Sequence, residues 1–79
     1  MNVIIYTIPT SEWCNDLKAW LKKKKISFEE RETTEESKWR EEVLNKTGQL
    51  AVPVIEIDGN ILIGFDEKEL EEAIQKAKA

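Results

Sequence analysis

No histidine occurs among the 79 residues, and cysteine occurs once, at Cys14. The first absence excludes Ser–His and Cys–His catalysis and most zinc sites. The second excludes any internal disulfide, so the hydrophobic core alone must hold a chain near the lower size limit for an unstapled domain. The lone cysteine, with no leader-like segment ahead of it, points to a reducing, cytoplasmic setting. Apolar runs reach only a few residues, too short to span a membrane. Cations are outnumbered: Lys+Arg total 12 against 16 Asp+Glu, for a formal charge of −4. General nucleic-acid affinity is therefore not expected. The one basic run, Lys22 to Lys25, falls where a helix should end, and cations there favour the negative end of the helix dipole.

What is present alternates strand and helix signals. Val3-Ile4-Ile5-Tyr6 is a β-branched apolar run suited to a buried strand, and Thr7 to Thr10, with Pro9 inside, breaks it. Trp13, Leu17, Trp20 and Leu21 recur at i, i+4, i+7 and i+8, which predicts a helix over 11–24 with one apolar stripe. Ile26-Ser27-Phe28 opens a second strand that fades into acidic residues, and a crossover helix of this length makes the pair a right-handed parallel unit. Thr33-x-x-Glu36 resembles a capping box for a second helix over 35–46, ending at Gly48. Its apolar face, Trp39, Val43 and Leu44, is thin. Val54 to Ile57 and Ile61 to Ile63 flank Asp58-Gly59-Asn60, a hairpin signal. Asp66-x-x-Glu69 then caps a last helix with Leu70, Ala73, Ile74 and Ala77 on one face. The order is β-α-β-α-β-β-α, a single α/β domain over 1–79 with a four-stranded mixed sheet and three flanking helices. Trp20 and Trp39 are expected in the core.

Ser11-Glu12-Trp13-Cys14 lies where the first strand hands over to the first helix, and it reads as a C-x-x-C redox motif lacking its first sulfur. A dithiol site needs two thiols at that spacing, one to attack a disulfide and one to resolve the mixed disulfide. Taken with Tyr6-Thr7, Thr47-Gly48-Gln49, Val52-Pro53, Ile57-Asp58-Gly59 and Gly64-Phe65-Asp66, in order along nearly the whole length, the chain resembles a glutaredoxin. The resemblance is to the short glutaredoxin-like, NrdH-redoxin type, and it implies the thioredoxin-like fold.

The resemblance implies that Ser11 stands at the nucleophilic cysteine, or selenocysteine in a few members, and Cys14 at the resolving cysteine. Independently, a thiolate on a helix N-terminus meets free N–H groups and the positive dipole end, which lower its pKa. Glu12, in place of the proline common there, opposes that effect. Cys14 could equally be an inert, half-buried helix cysteine. Trp13 either shields the sulfur and walls the substrate or tops the core stripe. Val52-Pro53 resembles a Val–cis-Pro turn, whose backbone pairs with glutathione like an added strand; a trans proline opening an edge strand is the plain alternative. Gly64, Phe65, Asp66 and Glu67 match the loop holding the γ-glutamyl end of glutathione, with Asp66 also explicable as a helix cap alone. Gln49 matches the contact to the glycyl carboxylate, without the charge an arginine would bring. Ile8 stands where many members carry lysine, and Ile63-Gly64-Phe65 is closer to the NrdH redoxins, which thioredoxin reductase reduces.

The resemblance therefore implies a glutathione-dependent thiol–disulfide oxidoreductase acting on protein disulfides or glutathione mixed disulfides. Glutathione is the co-substrate, with no bound cofactor, no metal, a monomeric state and disulfide-containing proteins as partners. With Ser11 as written little turnover is expected, and Ser11 reads as a near-isosteric replacement of Cys or Sec. The alternatives are a redox-inactive glutathione- or protein-binding module, a thioredoxin-reductase-dependent redoxin, and a monothiol protein using Cys14.

Overall fold

The computed structural model describes residues 1–34, 38–49 and 53–78. Within them the elements run β1 (Val3–Thr7), α1 (Glu12–Lys23), β2 (Glu29–Glu32), α2 (Lys38–Thr47), β3 (Val54–Ile57), β4 (Asn60–Ile63) and α3 (Glu67–Lys78). The expected order is the observed one. The four strands form one sheet in the order β2-β1-β3-β4, with β1–β2 parallel and both other pairings antiparallel. This is the thioredoxin-like fold.

Every residue of β1 is buried, because it is a central strand covered on both faces, which accounts for its unbroken apolar run. The odd-numbered residues Val3 and Ile5 join Ile55 and Ile57 under Leu17 and Leu21 of α1 and Leu70 and Ile74 of α3. The even-numbered Ile4 and Tyr6 join Val54 under Val43 of α2, with Trp39 packed alongside. Trp20 is packed against the larger cluster, but like Trp39 it is only partly buried.

Two expectations need correction. The second strand does not begin at Ile26. Helix α1 ends in a Schellman motif: Lys25 takes φ 59, its N–H donates to the Lys22 carbonyl at 3.0 Å, and the Ile26 N–H donates to Leu21 at 2.9 Å. Residues 26–28 are then used to cross to the sheet edge, where Ile26 and Phe28 pack against the core as loop residues. The strand proper is the charged Glu29–Glu32, stabilised by its pairing to β1 rather than by its own hydrophobicity. Leu44, the other exception, is 44% exposed, so α2 is held by Val43 and Trp39.

Polar contacts supplement that thin face. The Tyr6 hydroxyl, on a fully buried ring, donates to Glu42 at 3.0 Å and accepts from Arg31 at 3.1 Å and Lys46 at 3.2 Å. Arg31 also pairs with Glu29 and lies 4.6 Å from the Trp39 ring centre, and Lys46 pairs with Glu56 at 2.7 Å. Burial raises the Glu42 pKa, but the hydrogen bonds from Tyr6 and Lys46 and the Arg31 charge outweigh it, leaving it below the usual glutamate range. On the other face a hydrogen bond from Thr7, opposed by burial and aided by Lys18, also lowers Glu30. A depressed folded-state pKa contributes stability that is complete above the unfolded value and lost as pH falls through the folded one. Acid titration followed by circular dichroism is thus expected to show flat stability down to about pH 4.3 and a decline below it. Glu42→Gln should make that decline shallower.

The expected hairpin forms through a two-residue turn, with Asp58 at φ 47 and Gly59 at φ 90, the double positive φ of a type I′ turn. The second helix begins, among the described residues, at Lys38 and ends before Gly48 at φ 77. Residues 35–37, including the Glu36 of the expected capping box, lie outside the described residues.

A candidate active site at four converging element ends

The antiparallel register pairs Tyr6 with Val54 and Val54 with Ile63. The end of β1, the start of β3 and the end of β4 therefore lie side by side. The Gly64 N–H donates to the Pro53 carbonyl at 2.8 Å, joining the residue before β3 to the turn before α3. Helix α1 starts at the same end, since only four residues separate it from β1. The sequence-assigned residues other than Gln49 and Val52 lie at or next to these element ends: Ser11, Trp13 and Cys14 at the start of α1, Pro53 before β3, and Gly64 to Glu67 between β4 and the first residue of α3.

Ser11 is the N-cap of α1, in extended conformation at φ −89, ψ 123, and its side-chain oxygen accepts the Cys14 N–H at 3.4 Å. The Ser11 N–H donates in turn to the Ile8 carbonyl at 3.3 Å, fixing the loop between β1 and α1. Serine is among the best N-cap residues, so the helix start is intact with oxygen at position 11. The same N–H would face a sulfur placed there, and would stabilise it as thiolate.

Cys14 is fully buried, not half-buried. It supplies the first member of the α1 core stripe, with Leu17 and Leu21. Trp13 was one candidate for that place, but it is 59% exposed. Of its two readings the structure leaves the surface one: a large apolar side chain one residue before Cys14, turned away from the core. Buried as it is, Cys14 is closed to attack from solvent, which counts against monothiol chemistry.

Pro53 is buried and Phe65 half-buried, and the Phe65 ring meets Trp20 edge to face at 6.2 Å between centroids. The Asp66 carboxylate accepts the N–H groups of Lys68 at 3.0 Å and Glu69 at 3.2 Å, so its capping role is realised. Asp66→Ala is expected to lower stability by about 1 kcal/mol, with Asn largely restoring it; urea denaturation of both variants measures this. Glu67 opens α3 and is exposed. Gln49 is exposed, with its backbone N–H donating to Thr47 Oγ1 at 3.2 Å and its carbonyl accepting from the same hydroxyl at 2.7 Å. Val52, and with it the bond preceding Pro53, lies outside the described residues.

Three residues have roles near the site that the sequence did not assign to them. Thr7 is a fully buried hydroxyl donating to Glu30 at 2.7 Å. Thr33 donates to the Thr7 carbonyl through both its N–H, at 2.8 Å, and its hydroxyl, at 3.2 Å, tying the end of β2 beneath the site. Asp16 lines an open groove between α1 and the start of α3, shared with Ala19, Trp20, Lys23, Phe65 and Glu67. The signal for Asp16 was present, since it lies three residues after Trp13 on the same helix.

Comparison with known proteins agrees with this geometry. The Glutaredoxin family model matches residues 3–62. An uncharacterised glutaredoxin-like 8.6 kDa protein in the rubredoxin operon of Clostridium pasteurianum is 43% identical over 72 residues, 91% of this chain and 96% of that one. Glutaredoxin 3 of Escherichia coli K12 is 38% identical over 84% of this chain and 80% of its own. Among solved structures, a glutaredoxin of Archaeoglobus fulgidus superposes with TM-score 0.83 at 25% identity, covering 94% of this chain and 86% of its own. The strand order, the turn opening α1 and the matched length lead to one conclusion: this chain belongs to the glutaredoxin family.

Proposed function

We propose that the chain carries the substrate-holding frame of a glutathione-dependent thiol–disulfide oxidoreductase, with the attacking sulfur replaced by Ser11. The observation that supports this most is the Ser11 oxygen itself. It occupies the N-cap of α1, accepting the Cys14 N–H, four residues after the end of β1. With cysteine or selenocysteine at position 11, its thiolate or selenolate would attack one sulfur of a protein or glutathione mixed disulfide and expel the other as a thiol. A second glutathione would then attack the resulting bond, freeing position 11 and leaving as glutathione disulfide; alternatively Cys14, after a local opening of α1, would expel the substrate thiol and leave a disulfide between positions 11 and 14 that two glutathiones reduce. Serine cannot do this, because an alcohol is far too weak an acid to supply the nucleophile at neutral pH.

In this reading glutathione is a co-substrate, its γ-glutamyl end lying against the start of α3 near Asp66 and Glu67, its cysteinyl part beside Val52-Pro53, and its glycyl end toward Gln49. The protein works as a monomer in the cytoplasm, in keeping with a lone, inward-facing cysteine. The test is glutathione-coupled reduction of a small disulfide by Ser11→Cys beside the chain as given. Turnover by the variant alone supports the reading; turnover by neither overturns it. A second reading, with thioredoxin reductase as the electron donor, is favoured by the absence of a cation at Ile8 and Gln49. Supplying that reductase in place of glutathione distinguishes the two.

A further inference from the structure

We infer that the surface beside position 11 is built to dock a cationic, partly apolar segment of a disulfide-bearing protein. This rests on the proposed redox reading for its site and goes beyond it in naming the substrate class. Trp13 is the most exposed large hydrophobic side chain among the described residues. Glu12 precedes it, and Asp16 lies one helical turn on, so the indole is bordered by two exposed carboxylates on one face of α1. Asp16 also lines the groove between α1 and the start of α3, together with Trp20, Phe65 and Glu67. Acidic and aromatic residues thus run along α1 from the Ser11 turn to the groove beside α3, with Lys23 the one cation lining that groove among the described residues.

Glu29, Glu30, Glu42, Glu56 and Glu71 each have a lysine or arginine partner. Glu12, Asp16 and Glu67 have no ion-pair partner among the described residues. Against the single Lys23 that lines the groove they leave a net negative field at the site, which repels anionic segments and attracts cationic ones. A lysine or arginine beside the substrate disulfide would meet both this field and the exposed indole face, the geometry of a cation–π contact. A neighbouring leucine or methionine would cover Trp13 and lie over Phe65.

The experiment uses the chain as given, whose serine allows docking without exchange. The probes are two short cyclic peptides closed by one disulfide, identical except that one is flanked by arginines and leucine and the other by glutamates and leucine. Binding is read by titration calorimetry and by the Trp13 indole resonance. The arginine peptide is expected to bind at least about tenfold more tightly, given three surface carboxylates each contributing modestly. That preference should shrink as salt rises from about 50 mM to 500 mM and in the Glu12→Gln/Asp16→Asn variant, with folding checked by circular dichroism. Equal binding of the two peptides, or a preference that survives both salt and the double variant, overturns the inference. Loss of turnover in Ser11→Cys, with the arginine preference intact, would remove the redox reading and leave the docking surface standing.

Discussion

Ser11→Cys is expected to raise the rate of glutathione-coupled disulfide reduction by at least about 10³-fold over the chain as given, the scale on which removing a covalent nucleophile acts. Two features favour a large gain. The backbone at position 11 is already extended and directed onto the first turn of α1, with the Cys14 N–H poised toward its side chain, so no rearrangement of the chain is required. Free N–H groups and the dipole at the helix N-terminus favour thiolate over thiol. Glu12 works against this, but it is exposed, and solvent and salt weaken its effect. The companion variant Ser11→Cys/Cys14→Ser separates the two possible second steps. If glutathione resolves the intermediate, the double variant keeps turnover on glutathione mixed disulfides and loses it on protein disulfides that need two thiols. If Cys14 resolves every intermediate, both activities fall together.

Leu17→Ala is expected to lower the unfolding free energy by about 3 kcal/mol. Leu17 is fully buried between the sheet and α3, in the cluster with Ile5, Leu21, Ile55 and Leu70. A domain of this size has on the order of 4–12 kcal/mol in total, so one such cavity takes a substantial share of it. The urea midpoint should fall with the slope unchanged. Leu44→Ala, on the exposed side of α2, is the control and should stay within about 0.5 kcal/mol. Because Leu17 lies one turn beyond Cys14 on the face that holds α1 to the sheet, its loss should also loosen the frame of position 11.

Much of this was legible in the chain. β1 announced itself because a central strand covered on both faces must be apolar throughout. The hairpin did so because a tight turn with two positive φ angles needs residues such as Asp-Gly, and α3 because Asp66 and its stripe mark both start and face. β2 was misplaced because Glu29–Glu32 carries no hydrophobic signature: its strand conformation comes from hydrogen bonds to β1, which local sequence does not encode. Trp13 was ambiguous because a helical stripe containing Trp13, Leu17 and Leu21 differs by one residue from the true one containing Cys14. Periodicity alone does not choose between those phases; the rest of the core does. Within the site, the family resemblance supplied the positions, while the groove and the unpaired state of its carboxylates required three dimensions.

The full burial of Cys14 has a practical consequence. Since it is the one cysteine in the sequence, the folded protein offers no thiol to a thiol-directed alkylating reagent until α1 lifts from the sheet. Its labelling rate is therefore a clock for that opening, readable residue-specifically and without any added probe.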